Sequence, residues 1–447
     1  MKQQNKDLTQ GKLAKQILFF SLPLMLSNVL QVLFNMADVA VVGQFAGSMA
    51  LGSVGSTSTL VALFTGFLIG MSGGVNVLAA LHLGAKNQRE VSDTVHTSAI
   101  LCTLAGVLVT LIGVCFARPI LNLLNTKTEL IDGAVLYIRI YFLGMPAMGI
   151  YNFGNAVLSA AGDTKRPLSY LSVAGVVNVV LNLFFVIVCR MDVAGVALAS
   201  IISQYLSAVL ILRALLRSTE IYGMKLSKLR INGDKAGDIL RIGLPSGIQC
   251  AIFQIANLFI QASVNSFSAT MVAGNSAAAN ADALVYDVMA AFYTACSSFM
   301  GQNYGARKKD RIIKSYFISL AYSFGIGLVM GVSLVVFGRQ FLGIFTNEPE
   351  VVAAGMKRLN IMGLSYAVSA FMDCTIAASR ALGKSVVPTI IVIMGSCVFR
   401  VIWVYTIFAY FRTIPSLYLL YVFSWSITAI AEIIYFTGVY RKTTVEL

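Results

Sequence analysis

Long apolar runs separated by short polar intervals set the pattern of this chain. Such runs lie near residues 15–42, 54–81, 95–117, 133–158, 167–189, 193–216, 238–264, 277–302, 313–337, 354–379, 386–411 and 416–440. Each supplies the ~20 mostly apolar residues that a helix needs to cross the hydrocarbon of a bilayer. Strand-length alternating segments with turn signals are missing, which argues against a β-barrel. The pattern predicts an all-α polytopic membrane protein with twelve transmembrane helices. Its longest polar interval, residues 217–237, falls between the sixth and seventh.

The two halves repeat one another. Gly84-Ala85-Lys86 returns as Gly305-Ala306-Arg307, Phe116-Ala117-Arg118 as Phe337-Gly338-Arg339, Glu129 as Glu350, Gly162 as Gly383 and Pro167 as Pro388, all at one constant offset. Leu22-Pro23 and Asn35 return one residue further on, as Leu244-Pro245 and Asn257. The division expected is an N-lobe over residues 1–216, a cytoplasmic linker over 217–237 and a C-lobe over 238–447. Six helices per lobe is an even number, so both lobes enter the membrane in the same sense. A pseudo-two-fold along the membrane normal therefore relates them. Such a pair of lobes suits a carrier that opens a central cleft to alternate sides.

Composition agrees with a membrane protein: 57% hydrophobic and 12% charged residues, with a mean hydropathy of +0.80. The net charge of +14 could suggest nucleic acid, but its placement does not. Most Lys and Arg fall in alternate loops, from Lys2, Lys6, Lys12 and Lys15 through the 217–237 interval to Arg441 and Lys442. By the positive-inside rule both termini are cytoplasmic in a multi-pass plasma-membrane protein, read as bacterial. The partners expected are the lipid bilayer and a small molecule, with no nucleic acid. The seven Cys are scattered without a CxxC pair and read as small buried hydrophobes. The first apolar run is too long for a signal-peptide core, so it is expected to stay in the membrane.

Polar residues inside apolar runs carry the candidate chemistry. In the first helix Asn28, Gln31, Asn35 and Asp38 fall within an arc of about 80°. Asp38 maps to Ile260 in the second half, so the carboxylate is not a requirement of the shared fold. In a low-dielectric cleft it can take a proton or a cation; the alternative for the stripe is a helix–helix hydrogen-bond seam. Asn178 and Asn182, one turn apart, and Ser200 offer neutral oxygens that could complete an ion shell beside Asp38 or pin its protonated form. Equally, they could bond helices together. Asp287 and Asp373 lie deep in later helices as a second candidate group, functional or paired, whereas Asp282 reads as interfacial. Glu432, Arg139 and Arg400 read as structural or charge-paired. Gln254, Asn257 and Gln261 share one face of the seventh helix and, with Gln31, suit a substrate cavity lining. Pro23, Pro146 and Pro245 are expected to kink their helices. Gly70-Met71-Ser72-Gly73-Gly74 reads as a tight helix contact. No HExxH, P-loop or DDxxD motif occurs, and the GxSxG spacing at Gly70, Ser72 and Gly74 lies inside an apolar run as that helix contact, so the chain is not read as an enzyme, and any pumping draws on an ion gradient.

These residues resemble the multidrug and toxic compound extrusion (MATE) family over essentially the whole length. The matching pieces include Leu22-Pro23 with Asn35-x-x-Asp38-x-x-x-x-Gly43, Ala161-Gly162-Asp163-Thr164 through Pro167, Asn178-Val179-Val180-Leu181-Asn182, Gly195 to Ser200, Gly301 to Ala306 and Arg380 to Ser385. The resemblance implies a secondary antiporter that expels amphipathic, often cationic, compounds against inward H+ or Na+, with no other cofactor. In the similar DinF-like branch the N-lobe coupling site falls on Asp38, Asn178, Asn182 and Ser200, with Asn35 in the same motif and a Na+ held at Asp38, Asn178 and Asn182. That branch often has Asp where this chain has Asn182, which leaves one carboxylate and makes single-proton coupling an equal candidate. The NorM-like branch places a Glu in the seventh helix, where Phe253-Gln254 stands here, so only Asp373 remains for a C-lobe site. Two fused lobes make a monomer sufficient. The other reading kept open is a lipid-linked saccharide flippase of the same superfamily, which would want cavity cations such as Arg139 and Arg400.

Overall fold

The computed structural model describes residues 7–445, which form helices and short turns with no strand among them. The helices are α1 Leu13–Val41, α2 Gly47–Gly84, α3 Gln88–Leu123, α4 Thr128–Phe142, α5 Met145–Ala160, α6 Lys165–Leu183 and α7 Asp192–Leu216. After the linker come α8 Gly233–Val264, α9 Ala269–Gly305, α10 Lys309–Gly343, α11 Pro349–Ala381, α12 Val386–Val392, α13 Phe399–Trp403, α14 Ala409–Phe411 and α15 Ile414–Val445. Ten helical runs are long and apolar enough to cross a membrane. One of them, Leu13–Gly84, has 72 residues and is two spans, because a π-helical turn over Val42–Ala46 and Gly47 at φ 87° divide it. The pair α4 and α5 passes the same test across a 46° bend. With these, the described residues make the twelve crossings that the hydropathy pattern predicts.

The α4–α5 bend corrects one expectation. Pro146 does not kink a continuous helix; it stands in the first turn of α5, where its missing N–H leaves no bond unmade. Carbonyls near the break are satisfied from neighbouring helices: Thr110 Oγ1 donates to the Phe142 oxygen at 2.6 Å and Tyr205 Oη to that of Leu143 at 3.0 Å. Pro23 and Pro245 do lie inside α1 and α8.

The chain divides into two compact units, and neither is a simple half of the sequence. The first is built on Leu26–Ala251, the second on Leu8–Met25 together with the chain from Ile252 onward. In the second unit Leu13, Ile17, Phe20 and Leu24 of α1 form one stripe that packs on Ala291, Phe292, Ala295 and Phe299 of α9. Phe20 meets Phe299 edge-on at 5.4 Å. The lead into α1 is fastened there as well. Gln302 Oε1 accepts the Leu8 amide at 3.2 Å, Lys308 Nζ donates to the Thr9 carbonyl at 2.7 Å and Arg311 Nη1 to that of Gly11 at 2.8 Å. In the first unit the start of α8 is held in the corresponding way. His96 Nε2 accepts the Lys225 amide at 3.0 Å, Thr97 Oγ1 accepts that of Asn232 at 3.1 Å, and Lys235 pairs with Glu90.

Glycines set the closest approach in the first unit. A Cβ on Gly70 would stand 2.7 Å from the Ser246 carbonyl oxygen, and one on Gly74 would stand 2.6 Å from the Gly243 nitrogen. Gly70-x3-Gly74 of α2 thus faces Gly243-x3-Gly247 of α8, a small-residue seam of the kind that lets membrane helices touch through their backbones.

Candidate functional site

Asp38 lies in the last turn of α1, just before the π-helical turn. Asn182 on α6 donates through Nδ2 both to Asp38 Oδ1 and to Asn178 Oδ1, the latter at 3.2 Å. Ser200 Oγ on α7 donates to Asp38 Oδ2 at 3.4 Å. Three helices therefore meet at one carboxylate. Asn178, Asn182 and Ser200 are all buried, so their polar atoms must find partners within the protein. One does not: Asn182 Oδ1 is buried without a hydrogen-bond partner among the described residues. Its Nδ2 serves two oxygens while its own oxygen serves none.

An apolar cluster draws on the same part of the chain. Val41, Val42, Ala50, Val54, Tyr137, Val186, Val193, Val196 and Ala197 form one cluster. Tyr137 stacks on Tyr141 at 5.5 Å, and both phenols are close enough to feel the Asp38 charge. The two tyrosines were not singled out from the sequence. Their spacing of one turn on α4 was the available signal.

The structure brings together Asp38, Asn178, Asn182 and Ser200. It leaves Asn35 and Gln31 exposed on α1, outside the bonded group. Of the seventh-helix polar face, Asn257 is exposed and Gln254 half-buried. Gln261 is engaged instead, donating to Asn265 Oδ1 at 2.9 Å and accepting from Asn275 Nδ2 at 3.5 Å.

That last contact leads into a network the sequence did not disclose. Arg358 of α11 donates to Asn275 and to Asp282 of α9, Tyr366 Oη donates to Asp282, and Tyr418 Oη donates to Asn275 Oδ1 at 2.7 Å. The guanidinium lies 5.2 Å from the Tyr418 ring centroid. Asp282 is thus an interior ion-pair partner rather than an interfacial residue. Arg358, not among the candidate residues read from the sequence, is 6% exposed.

Asp373 of α11 lies elsewhere in the second unit, beside Tyr293 of α9 and within the field of Arg400. Arg400 is buried, its Nε donating to Ser424 Oγ at 3.1 Å and its guanidinium 4.6 Å from the Tyr421 centroid. Asp287 is half-buried on α9. Arg139 is exposed, its Nε donating to the Val114 carbonyl at 3.3 Å.

Comparison with known proteins agrees with this architecture. The family described as MatE matches residues 23–184 and 245–406, one copy in each half of the chain. The chain belongs to the MatE family of transporters. Among its relatives is the "Probable multidrug resistance protein YpnP" of Bacillus subtilis, 29% identical over 360 residues, 80% of either chain. Another is the "Probable multidrug resistance protein NorM" of Thermotoga maritima, 24% identical over 410 residues, 90% of this chain and 87% of that one. A solved structure described as an outward-facing multidrug resistance MATE family transporter superposes with a TM-score of 0.91 at 22% identity, covering 99% of each chain. The MatE-family chain is accordingly a multi-pass membrane protein with the twelve-helix, two-lobe fold.

Proposed function

We propose that this MatE-family protein is a secondary antiporter of the DinF-like kind, exporting amphipathic, cationic compounds in exchange for inward H+ or Na+ by alternating access. The observation that carries the reading is the half-buried carboxylate of Asp38 bonded to the buried Asn182 and Ser200. An ionisable group in the apolar interior of a membrane protein is expensive to keep and marks an ion path. The multidrug names of its relatives support the choice of cargo.

Hydrogen-bond chemistry gives the coupling a form. With Asp38 ionised, the Asn182 amide donates to it, as in the structure. When Asp38 takes a proton it becomes a donor, or when it takes Na+ the ion needs oxygen ligands. Rotation of the Asn182 amide then exchanges Nδ2 for its unpartnered Oδ1 and supplies an acceptor to either. Asn178 Oδ1 and Ser200 Oγ complete the oxygen set. Asn35 would lie on the approach to this group. Asp373, with Asp287, is the second place where the C-terminal unit could take up an ion. Gln31, Gln254 and Asn257 would meet the substrate through neutral polar groups, and one chain suffices for the cycle. The flippase alternative draws no support from the relatives' names, and Arg400, one of its needed cations, is enclosed by aromatic rings.

The test is efflux of ethidium from energised cells carrying the wild type, Asp38→Asn or Asp38→Glu at equal membrane abundance. Asp38→Asn should lose efflux and Asp38→Glu should keep part of it. Undiminished efflux by Asp38→Asn would remove Asp38 from the mechanism.

A further inference from the structure

A buried carboxylate in the second unit is left unexplained by the site above. Glu432 on α15 is 0% exposed. Neither of its carboxylate oxygens has a hydrogen-bond partner among the described residues. The helices packed against α15 are α11 and the α12–α14 run, and they bring a defined set of charges towards it. From α11 come Asp373 and Arg380, whose fields reach Glu432. From α13 comes Arg400, which acts on Asp373. Tyr435 follows on α15 itself, and Tyr293 of α9 stands beside Asp373.

Both arginines have other partners, although Arg400 Nη2 is buried without a hydrogen-bond partner among the described residues. Arg400 is held by Ser424 Oγ at 3.1 Å and lies against the rings of Phe253, Tyr421 and Trp425. Arg380 stands in the last turn of α11, where a cation complements the helix dipole, and its Nη2 donates to Thr389 Oγ1 at 3.3 Å. Asp373 is the carboxyl group within the field of both. Glu432 takes part in no ion pair among the described residues. An ionised carboxylate buried without a donor or contacting cation is among the costliest arrangements a protein interior can contain. A proton on the carboxyl group removes that cost.

We propose that Glu432 is a proton-binding site of the second unit, distinct from Asp38 and occupied in the conformation described. The inference does not rest on the antiporter reading, and its test needs no transport. The infrared C=O stretch of a protonated carboxyl is absent from ionised carboxylates. It can be recorded on the purified full-length protein at neutral pH, for the wild type, Glu432→Gln, Glu432→Asp and Asp373→Asn. The wild type should show a protonated-carboxyl band that shifts in D2O, is lost in Glu432→Gln, moves in Glu432→Asp and persists in Asp373→Asn. Glu432→Gln, which copies the shape of the neutral acid, should melt at the wild-type temperature. If Glu432 were instead the ionised counter-charge of the arginines, no band would depend on it. Glu432→Gln would then strand a buried cation and melt several degrees lower. Either result overturns the proposal, and Glu432→Asp decides it from the band alone should Glu432→Gln fail to accumulate.

Discussion

At the scale of single residues, the Arg358–Asp282 pair is the strongest case of interdependence in the protein. Arg358 is 6% exposed and bonds both Asp282 and Asn275. Removing one partner strands a buried charge, at a cost of about 3–5 kcal/mol, while removing both leaves a neutral site. Arg358→Gln and Asp282→Asn should each lower the melting temperature of the purified protein markedly, and the double variant should recover most of the loss. Additive losses would show that the two side chains act separately. Asn182 offers a complementary test of ion choice. Asn182→Asp puts a second carboxylate beside Asp38, and efflux by that variant should become stimulated by Na+ relative to choline at equal ionic strength. An unchanged response to Na+ would show that position 182 does not set the ion. Asp38, Asn178 and Asn182 were legible in the sequence because helical spacing puts a polar face inside an apolar run. Arg358 was not. Its place near the start of the 354–379 apolar run did not show that α11 begins at Pro349 and pairs that guanidinium with Asp282.

Among elements, the α2–α8 seam tests how close packing is specified. The glycine run at 70–74 was readable as a contact, though not which helix it would meet. Gly74 faces the α8 backbone, whereas a Cβ on Gly73 would meet nothing within 4 Å. Gly74→Val should abolish folded protein in the membrane. Gly73→Ala should be tolerated and gain up to about 1 kcal/mol in helix propensity. Size-exclusion profiles of the two variants distinguish these outcomes, and equal tolerance would contradict the seam. The α4–α5 break shows the limit of reading prolines. Pro146 identifies a place where a helix cannot run through, but the carbonyls accepted by Thr110 and Tyr205 come from partners that local sequence does not name.

For the whole molecule, the internal repeat reaches down to the backbone. Lys86 and Arg307, and Gly162 and Gly383, are repeat partners, and all four have positive φ. Those turns end helices in a left-handed residue whether or not glycine is present. The repeat was therefore readable from spacing alone. The division of the chain was less so, since α1 and α8 each begin in one compact unit and end in the other. Apolar length shows that a helix crosses the membrane, not which neighbours it packs on. Against this shared frame the charges differ. Tyr137 stands beside Asp38 in one half, while its repeat partner Arg358 is already paired with Asp282 in the other, where Ile260 replaces Asp38. One half thus has a carboxylate bonded only to neutral groups among the described residues, and the other carries a guanidinium paired with Asp282. The measurement that tests this most directly uses proteoliposomes loaded with a fluorescent cationic dye under an imposed pH or Na+ gradient, wild type beside Asp38→Asn. Dye movement driven by one of the gradients, with reciprocal ion flux, and lost in Asp38→Asn is the predicted result. Gradient-driven movement that survives Asp38→Asn, or dye movement indifferent to both gradients, would contradict it.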